Sequence, residues 1–176
     1  MRPKYYIGID PDNIESGVGI VDQYSRRCFT LKMSFPQMVR WLAELKNNYG
    51  EDAQVIIEGG WLNKSNWHVL GRFMSTQKAA AIGRSAGMNH QTGILIEQMS
   101  RYFGNETMVV KPLKKCWNGT DGKITKLEAE YFMGSLPRMN QDQRDALLLA
   151  WVYAGLPVKV KPKGIKTLKE VAESFE

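Results

Sequence analysis

Cysteine and histidine are scarce in this chain of 176 residues. The two cysteines, Cys28 and Cys116, form no disulfide framework, which favours a reducing compartment. The two histidines, His68 and His90, are too few and too far apart for a zinc site. No apolar run is long enough to span a membrane, and no signal peptide is recognisable. We therefore expect a cytoplasmic protein with no membrane partner.

Negative charge is in the minority, since 18 aspartates and glutamates face 24 lysines and arginines. The net charge of +6 favours an anionic partner, most simply a nucleic acid. The composition is otherwise ordinary, with 43% hydrophobic and 24% charged residues. The length suits one domain with a complete core.

Two apolar runs end on a carboxylate, which is a costly position for an acid inside a sheet. The run 5–9 ends on Asp10, directly before Pro11, and the run 55–57 ends on Glu58. A strand–helix–strand order makes the later strand parallel to an earlier one in the same sheet. If the two strands are neighbours, about 4.8 Å apart, the carboxylates lie side by side at the sheet end where open α/β sheets place their sites.

Alternating and apolar segments predict an α/β protein with five strands, the first three in an antiparallel meander. Helical spacing predicts one helix capped by Ser34 and ended by Gly50, and a long helical region with a break at Gly93. The predicted strands are 4–10, 17–22, 27–33, 54–58 and 107–111, and the later helical segments are 67–103, 124–133 and 140–154. We expect residues 156–176 to form a basic C-terminal tail with a short final helix.

The third acidic position is the start of the last predicted helix, where Asp142 and Asp145 share one face. The apolar residues 146–151 follow at once, so this helix must be buried against the sheet with its acidic turn at the rim. Carboxylates within a few ångströms of each other repel and take up protons unless a cation is present. Mg²⁺ prefers oxygen ligands and keeps waters that can attack a phosphate, so the pattern predicts a magnesium-dependent nuclease.

Each acid also has an ordinary explanation. Asp10 can start a turn before Pro11, Glu58 can pair with any lysine, and Asp142 suits the N-terminal end of a helix dipole. The metal-site interpretation depends on these acids occurring together. In this basic protein, acids end two predicted strands and others lie in the first turn of one predicted helix.

These residues resemble the RuvC family of Holliday junction resolvases, within the ribonuclease H-like superfamily. The matching positions are Gly8-Ile9-Asp10-Pro11 with Gly17 and Gly19, then Val55-Ile56-Ile57-Glu58, and finally Asp142 with Asp145-Ala146-Leu147. The resemblance extends over roughly residues 5 to 155. One departure is Asp12, where the family usually has glycine.

The resemblance implies a ribonuclease H-like nuclease domain over residues 1–155, with a five-stranded mixed sheet flanked by helices. It implies four ligands for two Mg²⁺ ions, or for Mn²⁺ in their place: Asp10, Glu58, Asp142 and Asp145. The expected reaction is in-line hydrolysis of DNA by a homodimer that nicks two strands of a four-way junction symmetrically. Such an enzyme would work in the cytoplasm of a bacterium or of a phage-infected cell.

The family also has an aromatic wedge three residues after its second acid, and Trp61 occupies that position here. Stacking a base on an indole is worth about 1–3 kcal/mol, although a partly buried loop anchor explains Trp61 equally well. The family's basic residue at the start of the penultimate helix corresponds to Lys123 or Lys126, of which we favour Lys126 as the catalytic lysine. The other expected DNA-binding residues are Lys64 and Arg144.

Other functions stay open at this point. An acid-ended strand before a glycine-rich hairpin also begins the actin- and hexokinase-type ATPases, but those proteins need two such domains. A related nuclease of the same fold could act on flaps, other branched DNA or RNA–DNA hybrids through the same metal site. A catalytically silent junction-binding module is a further alternative, although it has no need for the four acids.

Overall fold

The structure is a computed structural model that describes residues 3–63 and 75–160. Within them the chain forms five strands and four α-helices: β1 (Tyr5–Asp10), β2 (Ser16–Asp22), β3 (Cys28–Met33), α1 (Phe35–Tyr49), β4 (Ala53–Glu58), α2 (Thr76–Tyr102), β5 (Glu106–Val110), α3 (Lys126–Met133) and α4 (Gln141–Tyr153). None of these described helices is both long and apolar enough to cross a bilayer. The predicted helix start at residue 67, Lys64 and the tail beyond residue 160 lie outside the described residues.

The five strands form one sheet in the order β3-β2-β1-β4-β5. The first three strands form an antiparallel meander, whereas β4 and β5 run parallel to β1. Short turns connect the antiparallel strands, and a helix precedes each parallel strand, as a crossover requires. The predicted five-stranded mixed sheet flanked by helices is confirmed.

Side chains alternate across the sheet and build one apolar core on each face. Ile7 of β1 belongs to the core beneath α1 and α2. Tyr6 of β1 and Ile56 of β4 belong to the opposite core, beneath α3 and α4. The even-numbered positions of β1 and β4 therefore face α4, and Asp10 and Glu58 continue those two rows to the sheet edge.

Glycines on β1 and β2 let α4 lie directly on the backbone of the sheet. A Cβ atom at Gly8 would stand 2.1 Å from the carbonyl oxygen of Ala146. A Cβ atom at Gly17 would stand 2.3 Å from the carbonyl oxygen of Asp142. This close approach places the acidic first turn of α4 over the end of β1 and the start of β2.

Gly8→Ala is expected to lower the free energy of unfolding by about 3 kcal/mol, because the new methyl group meets backbone that cannot move aside cheaply. Urea denaturation followed by circular dichroism measures the change. The matched control is Gly83→Ala on α2, where no described atom lies within 4 Å of the Cβ position and alanine favours the helix by up to about 1 kcal/mol. Equal stability of Gly8→Ala and the wild type would contradict the close packing of α4.

Two of the predicted helix boundaries are wrong. α2 passes through Gly93 without a break. Gly93 is buried, and a Cβ atom there would stand 2.5 Å from the ring of Trp61, so packing requires a glycine at this position. Its small size, rather than its flexibility, explains its place in the helix. α3 begins at Lys126 instead of residue 124, because Oγ1 of Thr125 caps it by accepting the N–H of Glu128 at 3.2 Å.

Candidate active site

Asp10 and Glu58 end neighbouring parallel strands at the same edge of the sheet. The register pairs Ile9 with Ile57, so the next residue of each strand carries its carboxylate at the same level. Both side chains line one cavity of about 110 Å³. The structure therefore brings together the two acids that end the apolar runs.

Asp145 of α4 lines the same cavity, whereas Asp142 lies outside it. Asn140 fixes the start of α4 by accepting the N–H of Gln143 on its Oδ1 at 2.9 Å. Asp145 accepts a hydrogen bond from Nε2 of Gln141 at 2.7 Å, and Asp142 accepts one from Nδ2 of Asn140 at 3.3 Å. Three of the four predicted ligands thus share the cavity, and the fourth lies one turn away on the same helix.

The acids at this edge disfavour one another's charge. Burial raises the pKa of Asp10 well above its ordinary value, and the negative charges of Glu58 and Asp145 raise it further. Burial likewise raises the pKa of Glu58 and that of Asp142, with the charge of Asp145 adding to both. At neutral pH the ionised cluster therefore costs folding free energy unless a cation neutralises it.

The donor set fits Mg²⁺, because every candidate ligand offers the carboxylate oxygens that hard divalent cations prefer. Within residues 3–63 and 75–160, no three acidic, histidine or cysteine side chains already stand at metal-ligand distances. The ammonium group of Lys123 instead holds Asp145, with Nζ 3.0 Å from Oδ2. A cation at this site would therefore compete with Lys123 for the carboxylate of Asp145.

Lys123 reaches the acids, whereas Lys126 does not. Burial lowers the pKa of Lys123, but the charge of Asp145 and its hydrogen bond to that carboxylate raise it more, so the net change is upward. Lys126 is the first residue of α3, and its Nζ lies 3.5 Å from Oε1 of Glu130 one turn along the helix. The structure thus places Lys123, rather than Lys126, beside these acids, and the catalytic role expected for Lys126 stays a prediction.

Two further lysines line the acidic cavity, Lys114 and Lys115, which the sequence prediction missed. The positive charge of Lys115 partly offsets the raised pKa of Glu58. Both lysines follow β5, which runs parallel to β4, so the same sheet edge that collects the acids also collects them. That position after a neighbouring strand is the signal that could have identified them. A basic rim around an acidic cavity suits a phosphate backbone.

Arg144 does not line the cavity and instead binds neighbouring groups of the protein. Its guanidinium group donates to the carbonyl oxygens of Ile124 at 3.2 Å and Met139 at 3.0 Å, and to Oε1 of Gln141 at 2.6 Å. These bonds tie the start of α4 to the segment before α3. In this geometry Arg144 supports the frame of the site, and its predicted contact with DNA stays a prediction.

Trp61 stands beside the acids and is partly buried. It lines a second cavity, of about 320 Å³, that includes Asp10 and Glu58 and extends to α2. Its ring lies against Gly93, and its centroid is 6.4 Å from that of His90, which the sequence prediction had not singled out for this site. Both roles weighed for Trp61, loop anchor and stacking surface, are compatible with this position.

Asp12, at the position where the resembling family usually has glycine, holds the turn between β1 and β2. Its Oδ2 accepts Nδ2 of Asn89 at 3.1 Å, and its Oδ1 accepts the N–H of Ile14 at 2.9 Å. The N–H of Asn13 donates to Oδ1 of Asn89 at 3.0 Å. These bonds join the turn that follows Asp10 to α2.

No protein-family model and no curated protein sequence matches the chain. Among solved structures, the chain is similar to T. thermophilus RuvC in complex with a Holliday junction substrate, at 16% identity and a TM-score of 0.49, covering 85% of this chain and 92% of the other. It is also similar to the large terminase nuclease from thermophilic phage G20c with bound magnesium, at 16% identity and a TM-score of 0.31, covering 86% and 82%.

Proposed function

We propose that this protein is a metal-dependent endonuclease of the RuvC type that resolves four-way DNA junctions. The observation that carries the proposal is the convergence of Asp10, Glu58 and Asp145 from three separate elements in one cavity with a basic rim. Burial and mutual repulsion raise the pKa values of Asp10 and Glu58, so this cluster favours a bound cation over a metal-free state.

The acids of the site would hold the cation. Asp10, Glu58 and Asp145 would offer carboxylate oxygens to Mg²⁺, and Asp142 would contribute from the adjoining turn of α4. When bound, a pair of ions supplies Lewis acidity at the phosphodiester and so lowers the barrier to in-line hydrolysis. Mn²⁺ accepts the same oxygen ligands and is expected to substitute for Mg²⁺.

The lysines hold the DNA backbone. Lys123 presents its ammonium group beside the acids, where it stabilises negative charge that develops on the scissile phosphate. Lys114 and Lys115 line the same cavity and bind the phosphate as point charges. This arrangement predicts that junction binding weakens steeply with added salt, since each phosphate contact releases counterions.

Symmetrical nicking of two strands is explained by a homodimer. Each chain carries one acidic cluster, and symmetrical nicking of a junction requires two identical sites related by a twofold axis. The motifs shared with junction resolvases favour a four-way junction over flaps, other branched DNA or RNA–DNA hybrids.

Trp61→Ala is expected to slow junction cleavage about 10-fold while the protein still folds, because a stacked base loses about 1–3 kcal/mol of contact. Single-turnover cleavage and a circular dichroism melt measure the two effects. The control is Tyr102→Ala, an aromatic that is 81% exposed at the C-terminal end of α2. An unchanged cleavage rate in Trp61→Ala would exclude base stacking and indicate that Trp61 has only a structural role, packing against Gly93.

To test the proposed function, the purified protein is incubated in Mg²⁺ with a labelled, immobile four-way junction. A linear duplex, a flap and an RNA–DNA hybrid are incubated in parallel. Paired symmetric nicks confined to the junction are expected. Cutting of the flap or the hybrid instead would show that the protein is a nuclease with a different substrate. Tight junction binding without cleavage in Mg²⁺ or Mn²⁺ would show that the protein is a binding module and not a nuclease.

A further inference from the structure

Glu128 is a buried acid that the proposed chemistry does not use. Only 3% of its surface is exposed, although it is a charged residue in the first turn of α3. Burial raises the pKa of its carboxyl group, but hydrogen bonds from Thr125 and Asn118 outweigh that effect and hold the pKa below its ordinary value. The side chain is therefore an ionised carboxylate whose acceptors are occupied by protein donors.

The two oxygens of this carboxylate bind two different segments of the chain. Oε2 accepts the N–H of Thr125 at 3.0 Å and its hydroxyl group at 2.8 Å, which completes a capping box at the start of α3. Oε1 accepts the N–H of Asn118 at 3.0 Å and its Nδ2 at 2.7 Å. One carboxylate thus joins both ends of the segment 118–125, which we call the lysine loop.

The capping boxes of α1 and α4 show that the second oxygen is not needed for capping. Gln37 accepts the N–H of Ser34 at 2.9 Å at the start of α1, and Gln143 accepts the N–H of Asn140 at 3.0 Å at the start of α4. In both boxes a glutamine with one acceptor oxygen is sufficient. At α3 the corresponding residue is a glutamate, and the additional oxygen binds the lysine loop.

The lysine loop carries Lys123 on a frame of short backbone bonds. The N–H of Gly119 donates to the carbonyl oxygen of Lys123 at 2.9 Å, and the N–H of Lys123 donates to that of Thr120 at 3.1 Å. The first of these bonds ties the backbone of Lys123 to the residue next to Asn118. From this frame Nζ of Lys123 reaches Oδ2 of Asp145 at 3.0 Å.

We infer that Glu128 is a positioning residue that holds Lys123 against the acids by tying together the two ends of the lysine loop. The catalytic part of this inference rests on the proposed nuclease function, whereas the placement of Lys123 does not. Glu128 lines neither of the two cavities that contain the acids, so its effect must pass through the loop.

Glu128→Gln is the variant that separates positioning from capping. It keeps the size of the side chain, and Gln37 and Gln143 show that glutamine supports a capping box in this protein. Its single acceptor oxygen cannot serve Thr125 and Asn118 together. We expect about a 10-fold slower single-turnover cleavage of the junction, with the dissociation constant of the junction changed less than about 2-fold.

A double-mutant cycle with Lys123→Met shows whether the effect passes through Lys123. If Glu128 acts by positioning the lysine, Glu128→Gln should cause no further loss of rate once Lys123 is methionine. Full additivity of the two losses would assign Glu128 a general structural role and overturn the inference.

A readout that needs no nuclease activity is the rate at which an amine-reactive acetylating ester modifies Lys123, measured by mass spectrometry relative to exposed Lys78. We expect at least about 3-fold faster modification of Lys123 in Glu128→Gln, because the ammonium group is no longer held on Asp145. Gln37→Ala removes a capping side chain elsewhere and should leave the ratio unchanged. If the wild type cuts no DNA, the proposed function fails, but this ratio still tests the positioning.

Asn118→Ala provides a second route if Glu128→Gln folds poorly. It removes the Nδ2 donor at the far end of the lysine loop and leaves Glu128 and Thr125 intact. Faster modification of Lys123 is expected in this variant as well. An unchanged Lys123 ratio in both folded variants would show that the carboxylate of Glu128 does not position Lys123.

Discussion

Asp10→Asn is expected to slow four-way junction cleavage at least about 10³-fold in Mg²⁺. Asparagine keeps the size of the side chain but removes the negative charge at the position where burial and the neighbouring acids act most strongly. Junction binding in EDTA should change less than about 3-fold, because in the proposed function the lysines rather than the acids contact the DNA backbone. Single-turnover cleavage and gel-shift titration measure the two quantities.

The same substitution should raise the melting temperature of the metal-free protein. Because the pKa of Asp10 is raised in the folded state, that state binds more protons than the unfolded state between the ordinary and the raised value. Stability in EDTA therefore falls as the pH rises through that window, and asparagine at this position escapes the loss. Mg²⁺ should raise the melting temperature of the wild type more than that of Asp10→Asn, since it binds the folded acids.

Asp52→Asn is the matched control for both effects. Asp52 is an exposed acid just before β4, at the end of that strand opposite Glu58. Its replacement should leave cleavage and metal-dependent stability within about 2-fold and a degree or so of the wild type. Comparable cleavage by Asp10→Asn and Asp52→Asn would remove Asp10 from the catalytic site.

Lys123→Met is expected to slow junction cleavage about 10²-fold, which is the usual cost of removing one preorganised charge from a transition state. Methionine keeps much of the length and apolar stem of lysine but lacks the ammonium group that lies 3.0 Å from Asp145. Lys126→Met is the control, because that side chain pairs with Glu130 on its own helix. We expect the control to cut within about 3-fold of the wild-type rate.

Lys123→Met is also expected to change the affinity of the site for Mg²⁺. Removing a positive charge from among the acids should strengthen Mg²⁺ binding several-fold even as cleavage slows, because the cation no longer competes with the ammonium group for Asp145. Calorimetric titration with Mg²⁺ measures this affinity. A greater loss of cleavage in Lys126→Met than in Lys123→Met would indicate that Lys126, rather than Lys123, is the active-site lysine.

The acidic part of the site was predictable because strand geometry decides it. Asp10 and Glu58 each close an apolar run, and parallel neighbouring strands bring such ends together whatever the loops do. The position of Asp145 was predictable for a similar reason, since the apolar face that follows it can be buried only against the sheet.

The basic part of the site was less predictable because loop contacts decide it. Lys123 and Lys126 lie three residues apart, and only the cap at Thr125 and the bonds of the lysine loop direct one to the acids and the other along α3. Arg144 could not be placed either, because one of its guanidinium partners is the carbonyl oxygen of Ile124, which precedes α3 and lies far from Arg144 in sequence. The role of Glu128 was not predicted at all, because it depends on a contact with Asn118 that only the folded loop creates.

Metal binding by these acids is tested most directly in a crystal of the wild-type protein soaked in Mn²⁺ and measured at the manganese absorption edge. We expect anomalous density between Asp10, Glu58 and Asp145, with the ammonium group of Lys123 moved away from Oδ2 of Asp145. Absence of anomalous density at these three carboxylates, at a Mn²⁺ concentration that supports cleavage, would contradict the assignment of these acids as the metal ligands.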